Sequence, residues 1–318
     1  MRTQLENVIQ EVGKVIAGKR EVIEKIVTAL LAEGHILLDD VPGVGKTTLA
    51  TALSRAVGLS FRRIQFTPDV LSSDITGFSM YDKESGGFVY RPGLLSKTNL
   101  LLGDEINRAS SKTQSALLEA MEEQQVTVDG KTYPLEAPFT VIATQNSIGT
   151  AGTQFLPYAQ MDRFLVQLSI GYPDYEAQMT MLRDRQKDNP LGSVFCVLSK
   201  EELTAMQQEV RAVTMKEEIL DYITRLTMAS RTHDAVAVGI SPRGALFIGR
   251  TAKARAYLDG RDYVTGTDIQ AVFKDVCGHR VLLKENEKDL AAGQVLDELL
   301  KKVETPDHRS RFPGILKK

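Results

Sequence analysis

Two short stretches combine residue types that handle phosphate. In HILLDDVPGVGKTTLA an apolar run enters a loop holding Pro42, Gly43, Val44 and Gly45, and Lys46, Thr47 and Thr48 then open a helical stretch. Glycine lets the backbone turn tightly enough for successive N–H groups to face one concavity, which suits an anion. A helix starting there adds its positive end. In this pattern Lys46 reaches the β- and γ-phosphates of a nucleoside triphosphate, and Thr47 offers its hydroxyl to Mg²⁺. The alternative is a glycine turn that joins strand to helix and binds nothing. The first glycine of G-x-x-x-x-G-K-T is Asp40 here. It lies at the loop entrance, away from the closest phosphate contact, so the loop is expected to tolerate it.

The second stretch, NLLLGDEINRAS, ends an apolar run in Gly103, Asp104 and Glu105. A buried strand would deliver both carboxylates to the sheet edge where the phosphates lie. Asp104 would hold Mg²⁺ directly or through water, and Glu105 would orient the attacking water. An acidic pair after a strand is by itself often a solvated turn. Its position downstream of the phosphate loop favours the catalytic reading.

These groups need a scaffold that brings strand ends together. Apolar residues recur at helical spacing over 5–16 and 21–32. Short apolar runs at 35–38, 61–66, 99–102 and 139–143 read as buried parallel strands, with helices at 47–57 and 112–122 between them. The alternation predicts an α/β domain with a parallel sheet and its ligand at the strand C-terminal ends. After Asp188-Asn189-Pro190-Leu191-Gly192, which reads as a linker, the pattern is helical: 199–213, 216–233, a helix from Ser241-Pro242-Arg243 to near Gly260, 269–277 and 289–303. Ser199 with Glu202, and Thr267 with Gln270, have capping-box spacing. The expected organisation is an α/β core at 1–188 and a smaller all-helical domain at 193–318.

Composition narrows the classes. With 42% hydrophobic and 25% charged residues, the 318-residue chain has core material for two domains without disulfides. Cys196 and Cys277 stand in no metal or redox spacing and are expected to be reduced and mostly buried. The four histidines have no ligand spacing, so Mg²⁺ is the only metal expected. Net charge is −2, and no aromatic–basic stripe is present, which counts against nucleic acid. No apolar run reaches the roughly 18 residues needed to span a bilayer. With no signal peptide expected either, the setting reads as cytoplasmic.

In order along the chain, FTPDVLSSDITGF, GGFVYRPGLL, LLGDEINRASSKTQSALLEAMEE, VIATQNS, LPYAQMDRF and SPRG resemble the MoxR family of AAA+ ATPases, in the clade with a helix-2 insert. The resemblance covers nearly the whole chain and implies an AAA+ core with a helical lid. It implies ATP as substrate with Mg²⁺, and a ring, most often a homo-hexamer. It further implies chaperone-like action on a protein partner carrying a von Willebrand factor A domain. Asn146 resembles sensor 1, where an amide positions the attacking water; a polar strand terminus is the alternative. Arg163 resembles the arginine finger that enters the neighbouring subunit's site, or else it pairs with Asp104 or another acid of its own chain. Arg243 resembles sensor 2, or is a surface arginine in a first helical turn. Ile16, Ala17 and Gly18 resemble the adenine-pocket segment, or simply end a helix. Ser147 and Gly103 depart from the family pattern, which has proline and alanine there.

The polar segment 67–97 resembles the helix-2 insert. QQVTVDGKTYP reads as a hairpin turning at Asp129-Gly130 and resembles the insert before sensor 1. Both are expected to contact partners, unless they are surface decoration. Beside the leading reading, a ring ATPase that remodels a protein, stand a chelatase-like or nucleic-acid-associated motor subunit and a non-catalytic scaffold gated by nucleotide. The joint presence of Lys46, Thr47, Asp104, Glu105, Asn146, Arg163 and Arg243 argues against the scaffold.

Overall fold

A computed structural model describes residues 2–145, 156–184, 186, 190–285 and 290–306. Contacts divide the chain into two compact units, Met1–Val210 and Arg211–Lys318.

The first unit begins with α1 (Thr3–Gly13) and α2 (Arg20–Leu31), each burying one apolar stripe. Then follow β1 (Ile36–Asp39), α3 (Lys46–Ala56), β2 (Phe61–Gln65), α4 (Ser72–Thr76), β3 (Gly77–Asp82), β4 (Gly87–Pro92) and β5 (Leu100–Asp104). A 3₁₀ turn at Ile106–Arg108 leads to α5 (Ser111–Glu123), capped by the Ser110 hydroxyl, which accepts from the Thr113 N–H. The unit continues with β6 (Gln125–Val128), β7 (Lys131–Pro134), β8 (Thr140–Gln145), α6 (Tyr158–Met161), β9 (Val166–Leu168), α7 (Tyr175–Asp184) and α8 (Lys200–Ala212).

Five strands form one parallel sheet in the order β2-β5-β8-β1-β9. The runs in β5 and β8 are buried throughout, as parallel central strands require. The expected buried strand at 61–66 is instead the sheet's edge: in β2, Arg62, Arg63 and Gln65 are exposed, and only Phe66 beyond it is fully buried. Phe66, Leu101, Leu117, Val141 and Phe164 belong to one core cluster. The register brings Asp104 beside Gln65 and Asp39 beside Gln145, so the strand C-termini share one edge.

Two antiparallel hairpins project from the core, β3–β4 and β6–β7. Asp129 and Gly130 both have positive φ, 51° and 74°, as a two-residue turn of type I′ needs. Tyr90 of the first hairpin stacks on Tyr133 of the second at 3.9 Å.

The division at Val210 falls beyond the linker read at 188–192, where Asp188 and Asn189 lie outside the described residues. The reason is α8. Its Ser199/Glu202 capping box is formed, and Gln207 donates from Nε2 to the Leu30 carbonyl at 2.8 Å. Burying that amide ties the helix to α2.

The second unit holds α9 (Glu217–Arg231), β10 (Val236–Val238), α10 (Pro242–Leu258), α11 (Gly266–Cys277), β11 (Leu282–Leu283) and α12 (Ala292–Lys302). The short antiparallel β10–β11 ribbon joins a helical unit. Ser241 caps α10 by accepting from the Gly244 N–H at 2.9 Å. The capping box of α11 is Thr265 with Asp268, not Thr267 with Gln270. Asp268 accepts from the Thr265 N–H at 2.7 Å, while the Gln270 amide donates to Thr305 Oγ1 at 2.7 Å. Cys277 is buried as expected, but Cys196 is exposed.

Candidate functional site

β1 ends at Asp39 and the chain turns through residues 40–45 into α3. Gly43 and Gly45 take φ of 86° and 95°, a left-handed backbone that a side chain would strain. A Cβ at Gly43 would meet nothing within 4 Å, so the mouth of the loop is open. Lys46, the first residue of α3, is buried and donates from Nζ to the Asp40 carbonyl at 2.8 Å. Burial lowers its pKa below the ordinary lysine value, opposed in falling order by the carboxylates of Asp40, Asp104, Asp39 and Glu105. The loop that carries the lysine and the acidic pair lie at the same C-terminal edge of the sheet, after β1 and β5. Thr47 and Thr48 are half-buried in the same helical turn.

Asp40 is more than a tolerated substitute. It is buried, and its carboxylate accepts from Ser169 Oγ at 3.0 Å, from the Ile170 N–H at 2.5 Å and from the Gly171 N–H at 3.1 Å. It fastens the loop entrance to the segment after β9. Asp39 Oδ2 accepts from Gln145 Nε2 at 3.2 Å and Gln167 Nε2 at 2.9 Å, linking β1 to both neighbouring strands.

Asp104 closes β5. Its Oδ2 accepts from Arg63 Nε at 2.7 Å and its Oδ1 from Thr144 Oγ1 at 3.3 Å. Glu105 takes φ of 55°, and its N–H donates to the same Thr144 hydroxyl at 3.0 Å. Arg108 donates from Nη1 to Glu105 Oε2 at 2.8 Å. Gly103 matters sterically: a Cβ there would lie 2.9 Å from Cε2 of Phe66. A large ring in the core takes the space that alanine would fill.

A divalent cation here fits hard-oxygen ligation. Thr47 and Asp104 offer oxygens, and among the described residues no group of three or more His, Cys, Asp or Glu forms a cage of its own. Few protein ligands plus phosphate oxygens is how Mg²⁺ is commonly held.

Ile16 and Val15 are buried, and Ile16 Cδ1 would lie 3.5 Å from a Cβ at Gly45, which brings this segment against the phosphate loop. Gly18, at φ 72°, packs so close to α7 that a Cβ would meet Ala177 Cβ at 2.9 Å. Ala17 lies between them. Arg163 follows α6 and pairs through Nε with Glu122 Oε2 at 3.4 Å, on the rim of a cavity of about 300 Å³ between α5 and α6. It does not pair with Asp104. Arg243 sits in the first turn of α10, in the second unit. Its neighbour Gly244 leaves room for Arg280, whose Cδ would lie 2.8 Å from a Cβ there. Asn146 and Ser147 lie outside the described residues.

Residues 35–166 match the model of the ATPase family associated with various cellular activities, and residues 228–299 match the AAA lid domain. The chaperone MoxR1 of Mycobacterium tuberculosis is 39% identical over 88% of this chain and 76% of its own. The chain belongs to the MoxR family of AAA+ ATPases. YeaC of Bacillus subtilis is 44% identical over 96% of both chains. A crystal structure from Cytophaga hutchinsonii, of a protein assigned to the ATPases, superposes with a TM-score of 0.88 at 37% identity, covering 96% of this chain and 95% of that one. No helix among the described residues is long and apolar enough to cross a membrane.

Motif reading passed over Arg63, Thr144, Arg108 and the bonds of Asp40. Thr144 had a signal, since it stands two residues before Asn146 on the strand that pairs with β5. Arg63 had none, because its partner lies across a strand pair.

Proposed function

We propose that this MoxR-family protein hydrolyses ATP to ADP and phosphate with Mg²⁺, as a ring that remodels a client protein. The observation that carries the reading is that the glycine loop after β1, with buried Lys46 at the head of α3, and the Asp104–Glu105 pair closing β5 stand at the same C-terminal edge of the parallel sheet. A buried cation in a carboxylate-rich, glycine-walled loop is built to receive triphosphate with its metal.

Pro42 to Gly45 cradle the phosphates, Lys46 and Thr48 line the cradle, and the segment of Ile16, Ala17 and Gly18 walls the base. Thr47 and Asp104 would hold Mg²⁺, which would neutralise charge on the phosphate oxygens. Glu105 orients the attacking water and draws its proton, with Asn146 assisting. Arg243 and the neighbouring subunit's copy of Arg163 stabilise charge in the transition state. The ring is a homo-hexamer in a cytoplasmic setting, and the client carries a von Willebrand factor A domain; family membership supports these three points. The β3–β4 hairpin exposes Phe78, Met80, Tyr81 and Phe88, a surface suited to a protein partner.

The test pairs two variants. Lys46→Ala should lose ATP binding, and Glu105→Gln should bind ATP normally while hydrolysis falls roughly 10²–10⁴-fold. Near wild-type turnover in Glu105→Gln would remove the assigned catalytic carboxylate.

A further inference from the structure

We infer that Glu122 is a positioning residue that aims Arg163 at the neighbouring subunit's phosphate. The inference rests on reading Arg163 as a finger that acts in trans.

Ser115, Leu118, Glu119 and Glu122 fall at i, i+3, i+4 and i+7 of α5, so they form one stripe along the helix. With α6 and Arg163 this stripe encloses the cavity of about 300 Å³. Arg163 comes just after a helix of only four residues, which by itself fixes a long side chain poorly. Glu122 supplies the restraint by meeting Nε, the inner nitrogen of the guanidinium. The contact runs through Nε and not through the terminal Nη groups, the fork that grips phosphate. Glu119 and Glu123 also line the cavity, which therefore holds three carboxylates against one guanidinium. It repels phosphate, so phosphate meets Arg163 at the fork and not within the recess. Both partners are about one-third exposed, 33% and 37%, so the pair steers the side chain without locking it.

The experiment mixes subunits. Arg163→Ala chains serve as acceptors, because their own catalytic carboxylate is intact. Donors carry Glu105→Gln alone, or Glu105→Gln with Glu122→Ala, Glu122→Gln or Glu122→Asp. Co-assembly is verified by size-exclusion chromatography, and ATP hydrolysis is followed over a range of ATP concentrations. Glu105→Gln donors should restore activity. Adding Glu122→Ala or Glu122→Gln to the donor should lower the restored kcat roughly fivefold with KM unchanged, and Glu122→Asp should recover part of it. Glu122→Ala placed in the acceptor should change nothing, because that chain's finger is already absent. Equal restoration by all donors, or an equal loss from Glu122→Ala in the acceptor, overturns the aiming role. If even Glu105→Gln donors restore nothing to co-assembled rings, the trans reading of Arg163 falls, and this inference falls with it.

Discussion

Asp104 in the α/β unit and Asp268 in the helical unit are both buried aspartates paired with an arginine, yet their surroundings differ in kind. Asp268 accepts from Arg261 Nη1 at 2.7 Å and Nη2 at 2.5 Å, and from the Thr265 N–H and hydroxyl, both at 2.7 Å. Its bonding capacity is consumed in holding a helix start. Asp104 meets one arginine nitrogen and a longer threonine contact, and it stands where the parallel strands end. A carboxylate saturated by its own chain is structural, whereas one with spare lone pairs at a strand C-terminus can serve a ligand.

Alanine at the two positions should therefore give opposite results. Asp104→Ala should lower kcat by about 10²-fold or more, since the proposed Mg²⁺ ligand is lost. Its melting temperature should stay near wild type, because Arg63 is 49% exposed and remains hydrated. Asp268→Ala should cost about 1–3 kcal/mol of unfolding free energy, since half of a capping box is lost and Arg261, only 26% exposed, keeps only the longer contacts to Asp259 and the Tyr263 carbonyl. ATPase assays and denaturant unfolding on both variants would reveal any crossover, and a stability loss in Asp104→Ala as large as that in Asp268→Ala breaks the contrast.

Asp40 sharpens the comparison by placing a structural carboxylate inside the α/β unit. Asp40→Gly restores the first glycine of the phosphate-loop pattern and should nevertheless lower stability by about 2–4 kcal/mol, because Ser169, Ile170 and Gly171 lose their acceptor. An unchanged denaturant midpoint would show that those donors find water instead.

Glycine-to-alanine changes probe packing in each unit. Gly103→Ala pushes on the Phe66 ring and Gly244→Ala on buried Arg280 and Ile240, and each should cost about 1–3 kcal/mol in thermal unfolding. Gly244→Ala should be the worse, because Arg280 is fully buried and cannot swing into water.

The smallest effect is chemical. Exposed Cys196 in the first unit should react with a thiol reagent in the native protein. Burial pushes the Cys277 thiol up to about 12, so it should react only on unfolding. A stoichiometry of one fast thiol, rising to two in denaturant, would bear this out.

What the sequence determined by itself was local: glycines where φ must be positive, serine caps at α8 and α10, apolar runs for the central strands, and a Lys-Thr pair opening a helix. These follow from short-range sterics and hydrogen bonding, which neighbouring residues in the chain dictate. The places of Lys46, Asp104 and Glu105 were legible for the same reason, because Lys46 opens a helix and the acidic pair closes a strand, each defined by its own segment. The tertiary structure alone decided which partner each charge meets. Arg63 reaches Asp104 across a strand pair, Asp40 holds residues far along the chain after β9, and Arg163 turns to Glu122 instead of Asp104. It likewise decided that β2 is an edge, that α8 joins the first unit through Gln207, and that Thr265, not Thr267, caps α11. Those outcomes depend on distances between segments remote in sequence, and no local pattern encodes them.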